Sequence, residues 1–297
     1  SGAILNLYLF YLVSVSKSTS DRVYKIEITV FSLHGFFLCV FIAIMNYAHV
    51  FREGTFITAV LGPLATFLPI KLSMLIIRIT MVLVTMMWTL IPATSALQLM
   101  TLSRKLHWSV TKRLILSFLF PCLCIAIVAT TVEELIPSAS FEKIMIRITR
   151  EVYEMNENMI TFGSTMRYPE RNYNRSLIYF ALFYAIVPYS LTYAVFGALI
   201  YQIQKRLRVR GMAVSQRTAK MQRAFFVMQL LQSVLPLVIL SSPFTVFLYG
   251  VFTQTDLVLS ALWFTSFLWI CPSVQAIVQL RYIRQAAKAR ALEPTKI

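Results

Sequence analysis

The chain has 297 residues, 58% of them hydrophobic and 13% charged, with a formal net charge of +16. Soluble domains carry about twice that charged fraction, so an ordinary globular fold is excluded. The basicity is also concentrated. The segments between the apolar runs alternate in character, and one set holds 19 of the 28 Lys/Arg against 3 of the 12 acids. Positive charge kept on one side of several spans marks the cytoplasmic face. Nucleic-acid binding, which needs Lys/Arg on a soluble surface, is not required to explain it.

A spanning helix needs about 20 mostly apolar residues. The first run, Gly2–Ser16, is shorter, so the expectation is a first span cut short at its outer end. A cleaved signal peptide is the competing reading, disfavoured because Ser16–Asp21 does not resemble a small-residue cleavage site. Lys17, Arg22 and Lys25 follow on the basic side, then a second span at Ile28–Ala48 with His34 inside it. Phe56–Ile70 is apolar but short, and Gly62, Pro63 and Pro69 break it. It reads as an outer loop or a re-entrant segment, because counting it as a span would spoil the charge alternation.

The third span is Ile79–Leu99, with Lys71 and Arg78 before it and the basic segment Arg104–Arg113 after it. The fourth is Leu114–Val132. The longest outer loop, Glu133–Arg175, mixes both signs and ends in Asn174-Arg175-Ser176, an N-glycosylation acceptor pattern at Asn174. The fifth span, Leu177–Tyr201, leads into the basic stretch Lys205–Arg223. The sixth is Phe225–Val251, the seventh Leu257–Leu280, and residues 281–297 form a basic tail. The expected fold is therefore an all-α bundle of seven transmembrane helices in one domain over 1–297, N-terminus outside and C-terminus cytoplasmic.

Chemistry is sparse. Cys39, Cys122, Cys124 and Cys271 all fall inside spans, where cysteine packs as a small hydrophobe. His34, His49 and His107 are scattered, so no metal or cofactor is expected. Enzymes and proton-coupled transporters of the membrane need ionisable groups at mid-depth, and the spans are nearly free of them. No inverted repeat with matching Gly/Pro breaks stands out. That pattern argues for a receptor.

The sixth span is the most patterned. Gln222, Gln229, Ser233 and Pro236 recur at steps of seven, four and three, which places them on one helical face. Polar groups in a span turn toward the bundle. Pro236, with Pro243 beyond it, should bend the helix, making it a two-state element.

The run Ser215-x-x-Thr218-x-x-x-Gln222, followed by Gln232-x-x-x-Pro236, resembles the sixth-span signature of the nematode seven-transmembrane chemoreceptors of the Str superfamily (str, srd, srh, sri and srj groups). Asn6 in the first span, Lys17-Ser18 after it, and Pro272 followed by Arg281-Tyr282-Ile283-Arg284 agree with it. The resemblance implies an odorant-type receptor that binds a small molecule, couples to a heterotrimeric G protein and resides in the plasma membrane, in sensory cilia. Rhodopsin-type marks are missing. Leu102-Ser103-Arg104-Lys105 stands where Asp/Glu-Arg-Tyr would be, and Cys271-Pro272-Ser273 replaces Asn-Pro-x-x-Tyr. No cysteine pair is placed to join the third span to the outer loop.

A common ligand cavity is expected between the outer halves of the third, fifth, sixth and seventh spans. The candidates are Met74, Met81 and Thr85; Tyr179, Phe183 and Ser190; and Ser260, Trp263 and Phe267. Adaptable methionines suit loose recognition of small molecules. Arg78 meets an anionic ligand, pairs with Asp256 or Glu133, or snorkels to headgroups. G-protein-facing candidates are Arg104, Lys105, Arg206, Arg208, Arg210, Ser215, Thr218 and Gln222, and the conformational ones are Pro236, Pro243 and Pro272. The alternative is a channel or transporter, such as a ligand-gated channel of the insect odorant-receptor kind, whose orientation is opposite.

Overall fold

A computed structural model describes residues 2–15, 22–62, 67–103, 108–132, 136–154, 159–165, 186–210 and 216–291. The helices that follow the seven apolar runs are α1 (Gly2–Val15), α2 (Arg22–Met45), α3 (Ile70–Leu102), α4 (Val110–Val132), α6 (Val187–Arg210), α7 (Gln216–Thr253) and α8 (Val258–Ala291). The expected helical bundle is therefore present. By length and composition alone, Lys25–Met45, Lys71–Leu102 and Val110–Thr130 among the described residues can cross a membrane.

Apolar side chains alone do not hold helices together in lipid, so contact depends on packing and on satisfied polar groups. Hydroxyls in these helices fold back on their own backbone. Thr80 donates to the Ile76 carbonyl, Thr85 to Met81, Ser95 to Ile91 and Ser233 to Gln229, at 2.7–3.0 Å. Pro92, Pro121 and Pro272 lie inside α3, α4 and α8. Between α2 and α3, His34 bonds through Nε2 to the Leu83 carbonyl oxygen at 2.7 Å.

The bundle carries an addition. Phe56–Ile70, expected as an outer loop or re-entrant segment, begins instead as a strand. β1 (Tyr47–Arg52), β2 (Thr55–Val60) and β3 (Ile160–Thr165) form an antiparallel sheet in that order. Two boundaries move with it. The second helix stops at Met45 because the chain turns at Asn46 (φ 43°) into β1. The third helix starts at Ile70, nine residues before the sequence boundary, so Met74 and Arg78 are helical.

Glu53 (φ 54°) and Gly54 (φ 65°) close the β1–β2 hairpin, the doubly left-handed pair that matches the twist of two-residue hairpins. Tyr47, Phe51, Phe56, Val60 and Phe162 face the bundle and join its core. Val50 and Ile57, on the opposite face, pack against a further helix, α5 (Ala139–Tyr153). That helix is amphipathic and buries Phe141, Met145, Ile148 and Thr149 at helical spacing. Ser138 caps its first turn by accepting from the Phe141 N–H. The order is thus bundle, sheet, helix, and the sheet is covered on both faces.

Candidate functional site

Two regions stand out, one at each end of the bundle. At the sheet end the interior is apolar and aromatic. Its roof is Tyr47, Phe51, Phe56 and Phe162, and its walls include Leu38, Ile42 and Met45 of α2 and Ile77, Met81 and Val84 of α3. Below lies an aromatic layer. Trp88 meets Tyr189 edge to face at 6.1 Å, and Tyr189 meets Tyr193 at 4.8 Å. Offset and edge-on pairs of this kind add about 0.5–1.5 kcal/mol beyond burial.

Few polar groups enter this interior, and the tyrosine hydroxyls among them are tied down. The Tyr47 hydroxyl donates to Thr80 Oγ1 at 2.9 Å, pinning the sheet to α3. The Tyr193 hydroxyl donates to the Ser233 carbonyl at 3.3 Å, and that of Tyr189 reaches the Leu237 carbonyl at 3.5 Å. Two tyrosines of α6 therefore hold the α7 backbone on both sides of Pro236, where the missing N–H weakens the helix.

The sheet is fastened from above. The Glu53 N–H donates to Asp256 Oδ1 at 2.8 Å, and the Leu257 N–H to the Phe51 carbonyl at 2.9 Å. Arg52 and Glu151 lie 3.7 Å apart, as do Arg147 and Glu53. These pairs are exposed enough that each contributes little, about 0–1 kcal/mol. His49 is buried, bonded through Nδ1 to Thr58 Oγ1 at 2.9 Å and stacked on Phe56. Burial lowers its pKa from 6.5 to about 4, because the charged ring loses its water. Burial likewise raises the Tyr47 and Tyr153 phenols.

The opposite, basic end contains buried polar side chains. Glu27 of α2 is 2% exposed, and Gln229 Nε2 of α7 donates to its two carboxyl oxygens at 3.1 and 3.4 Å. Gln98 of α3, Gln232 of α7, and Gln275 and Gln279 of α8 are buried in the same half of the bundle. Several of their amide atoms have no protein partner among the described residues, Gln279 Oε1 and Gln232 Nε2 included. An unsatisfied buried amide costs about 1–3 kcal/mol.

One further contact joins three helices. Asn6 Nδ2 of α1 donates to the Gly2 carbonyl at 2.9 Å and to the Pro272 carbonyl of α8 at 3.4 Å. Asn6 lies flat on Gly35 of α2, where an added Cβ would sit 2.6 Å from Asn6 Oδ1. Asn6 and Pro272, far apart in sequence, are thus neighbours.

The family model described as serpentine type seven-transmembrane GPCR chemoreceptor Str matches residues 1–286. The chain belongs to the Str chemoreceptor family. No curated protein and no solved structure matches it.

In this chemoreceptor the candidate residues scatter. Met74, Met81 and Phe267 pack against the main core. Thr85 is fully buried and donates to the Met81 carbonyl at 2.9 Å. Ser190 is exposed, one position off the inward face on which Tyr189 and Tyr193 lie. Arg78 is exposed on α3, and Asp256 is engaged with the Glu53 N–H. Tyr179, Phe183, Asn174, Arg104, Lys105 and Ser215 lie outside the described residues. Ser260 and Trp263 are in α8, Arg208 and Arg210 in α6, and Thr218, Gln222 and Pro243 in α7. Arg206 is half-buried near the end of α6. Pro236 and Pro272 are buried in their helices.

Sequence reasoning missed the aromatic layer and Glu27. Trp88, Tyr189 and Tyr193 carried a signal in their spacing on two spans. Glu27 stands one residue before the expected second span and was counted with the basic-side loops.

Proposed function

We propose that this chemoreceptor binds a small, mainly apolar molecule in the interior between the sheet and the Trp88–Tyr189–Tyr193 layer. It signals to a heterotrimeric G protein at the basic end. The N-terminus and the sheet face outside, the basic segments face the cytoplasm, and the receptor resides in the plasma membrane of sensory cilia. Met81, Thr85 and Phe267 are proposed as ligand-side residues together with the aromatic layer, which replaces Ser190. Arg206, Arg208, Arg210 and the Ser215–Gln222 run are proposed to face the G protein.

One observation carries this reading. Helix α7 is held at Pro236 by the tyrosines of the ligand side and at Gln229 by Glu27, seven residues or about two turns apart. A ligand that alters the aromatic layer strains the weak point at Pro236. It thereby changes how the inner end of α7 packs, which is how a two-state helix relays a signal. A differential affinity of about 1–3 kcal/mol between the two states suffices for useful coupling.

The test is a panel of volatile and water-soluble small molecules applied to cells that report cAMP, cGMP and calcium. Responses that vanish when the G proteins are removed are expected. Ligand-evoked current that persists without any G protein, together with a C-terminal tag accessible on intact cells, would establish a channel instead.

A further inference from the structure

A groove of about 360 Å³ opens on the flank of the bundle, between α3 and the segment leading into α5. Its α3 wall presents Lys71, Met74, Leu75 and Arg78, at the i, i+3, i+4, i+7 spacing of one helical face. The other wall is Ile136 and Pro137, with Glu142 at the first turn of α5. Lys71, Leu75, Arg78 and Ile136 are exposed. Pockets for small ligands run about 300–1,000 Å³, so this one suits a compact polar group.

Its depth decides what lies beside it. Arg78 is 24 residues from the Leu102 end of α3, about 36 Å at roughly 1.5 Å per residue. The hydrocarbon core is about 30 Å thick, and the bilayer with its headgroups about 40–45 Å. Arg78 therefore sits where hydrocarbon gives way to headgroups. Lys71, two turns further on, lies at the aqueous edge of that layer. Ile79, 37% exposed, lies at the upper end of the acyl chains, and Leu75, 49% exposed and one turn outward of Arg78, lies at headgroup level.

We infer that this groove is a binding site for the headgroup of a zwitterionic glycerophospholipid in the leaflet on the sheet side. The phosphate takes Arg78 and Lys71. Guanidinium–phosphate bonds are charge-assisted and paired, the stronger class of hydrogen bond. The choline or ethanolamine cation lies against Glu142, and the methylenes of that headgroup cover Met74, Leu75 and Ile136. The charge pattern is that of the headgroup, two cations beside one carboxylate. The occupant bridges α3, which lines the ligand interior, to α5, which covers the sheet.

The receptor is placed in nanodiscs of equal phosphatidylcholine and phosphatidylglycerol, and the lipids it carries out are weighed by native mass spectrometry. The expected result is enrichment of phosphatidylcholine, with occupancy reduced about 100-fold in the double variant Lys71→Gln/Arg78→Gln, about tenfold for each lost charge-assisted contact. Glu142→Gln should keep the lipid but lose the preference over phosphatidylglycerol. If the double variant melts early in lipid-free detergent, the Glu142→Gln selectivity alone decides. Equal retention of both lipids by the parent protein overturns the site. So does full competition by water-soluble glycerophosphocholine at matched concentration, which would make the occupant a soluble phosphate ester.

Discussion

Gln229 Nε2 hydrogen-bonds both carboxyl oxygens of Glu27, at 3.1 and 3.4 Å, and so ties the basic half of α7 to α2 across 202 positions of sequence. Both side chains are 2% exposed. A buried carboxyl is costly unless partnered, so this pair favours one arrangement of α7.

Gln229→Leu removes the donor and leaves Glu27 buried without it. A hydrogen bond between buried side chains is worth about 0.5–1.5 kcal/mol net, a shift of roughly 2- to 10-fold between two arrangements of α7. The expected outcome is raised second-messenger output without ligand, measured per receptor at the cell surface. Glu27→Gln keeps a hydrogen-bonding side chain and should raise it less. Unchanged basal output in Gln229→Leu would show that the pair does not hold α7.

Gly35→Ala tests the meeting of α1, α2 and α8. The added Cβ would stand 2.6 Å from Asn6 Oδ1 and 2.8 Å from its Cγ. Overpacking of this kind costs about 1–3 kcal/mol, so the melting temperature in detergent should fall. Asn6→Ala in the same chain removes the collision and should recover part of the loss, a non-additivity that separates a clash from a general helix effect.

His49 makes the sheet sensitive to acid. Its pKa is about 4 when folded, against 6.5 unexposed to the fold. Between those values the unfolded form binds the proton and the folded form does not. Stability is therefore full above pH 6.5, falls as the pH drops toward 4 and changes no further below it. The ceiling is about 3 kcal/mol at 1.36 kcal/mol per unit. Hydrogen exchange of the β1 amides should accelerate over that window, and His49→Phe should flatten the profile.

Trp88→Ala removes one partner of the edge-to-face pair with Tyr189. It should weaken the response to any agonist by at least the value of the pair, about 0.5–1.5 kcal/mol or roughly 2- to 10-fold in potency. Ser190→Ala, on the exposed side of the same helix, should leave potency unchanged. The dose–response midpoints of the two variants are the comparison to make, and equal shifts would place the ligand elsewhere.

The Asp256 carboxylate accepts the hairpin N–H of Glu53 at 2.8 Å. Asp256→Ala should loosen the Glu53–Gly54 turn by about 1–2 kcal/mol, read as faster amide exchange at the β1–β2 tip. The amides of α4 should not change.

The amino-acid sequence by itself determined the bundle, the side that carries the charge and the inward face of α7. Each rests on local pattern: a run long enough to cross lipid, Lys/Arg counted between runs, and polar steps of three, four and seven. Gln229, Ser233 and Pro236 are buried together because a polar stripe in a lipid-bathed helix has nowhere else to turn. The tertiary structure alone decided the sheet and the aromatic layer. β1 and β2 are buried on both faces, by the bundle and by α5, so they lack the apolar–polar alternation that announces a strand. It also decided Glu27, whose neighbours Arg22 and Lys25 make it read as part of a charged loop. Its burial follows from Gln229, a partner that only folding brings near.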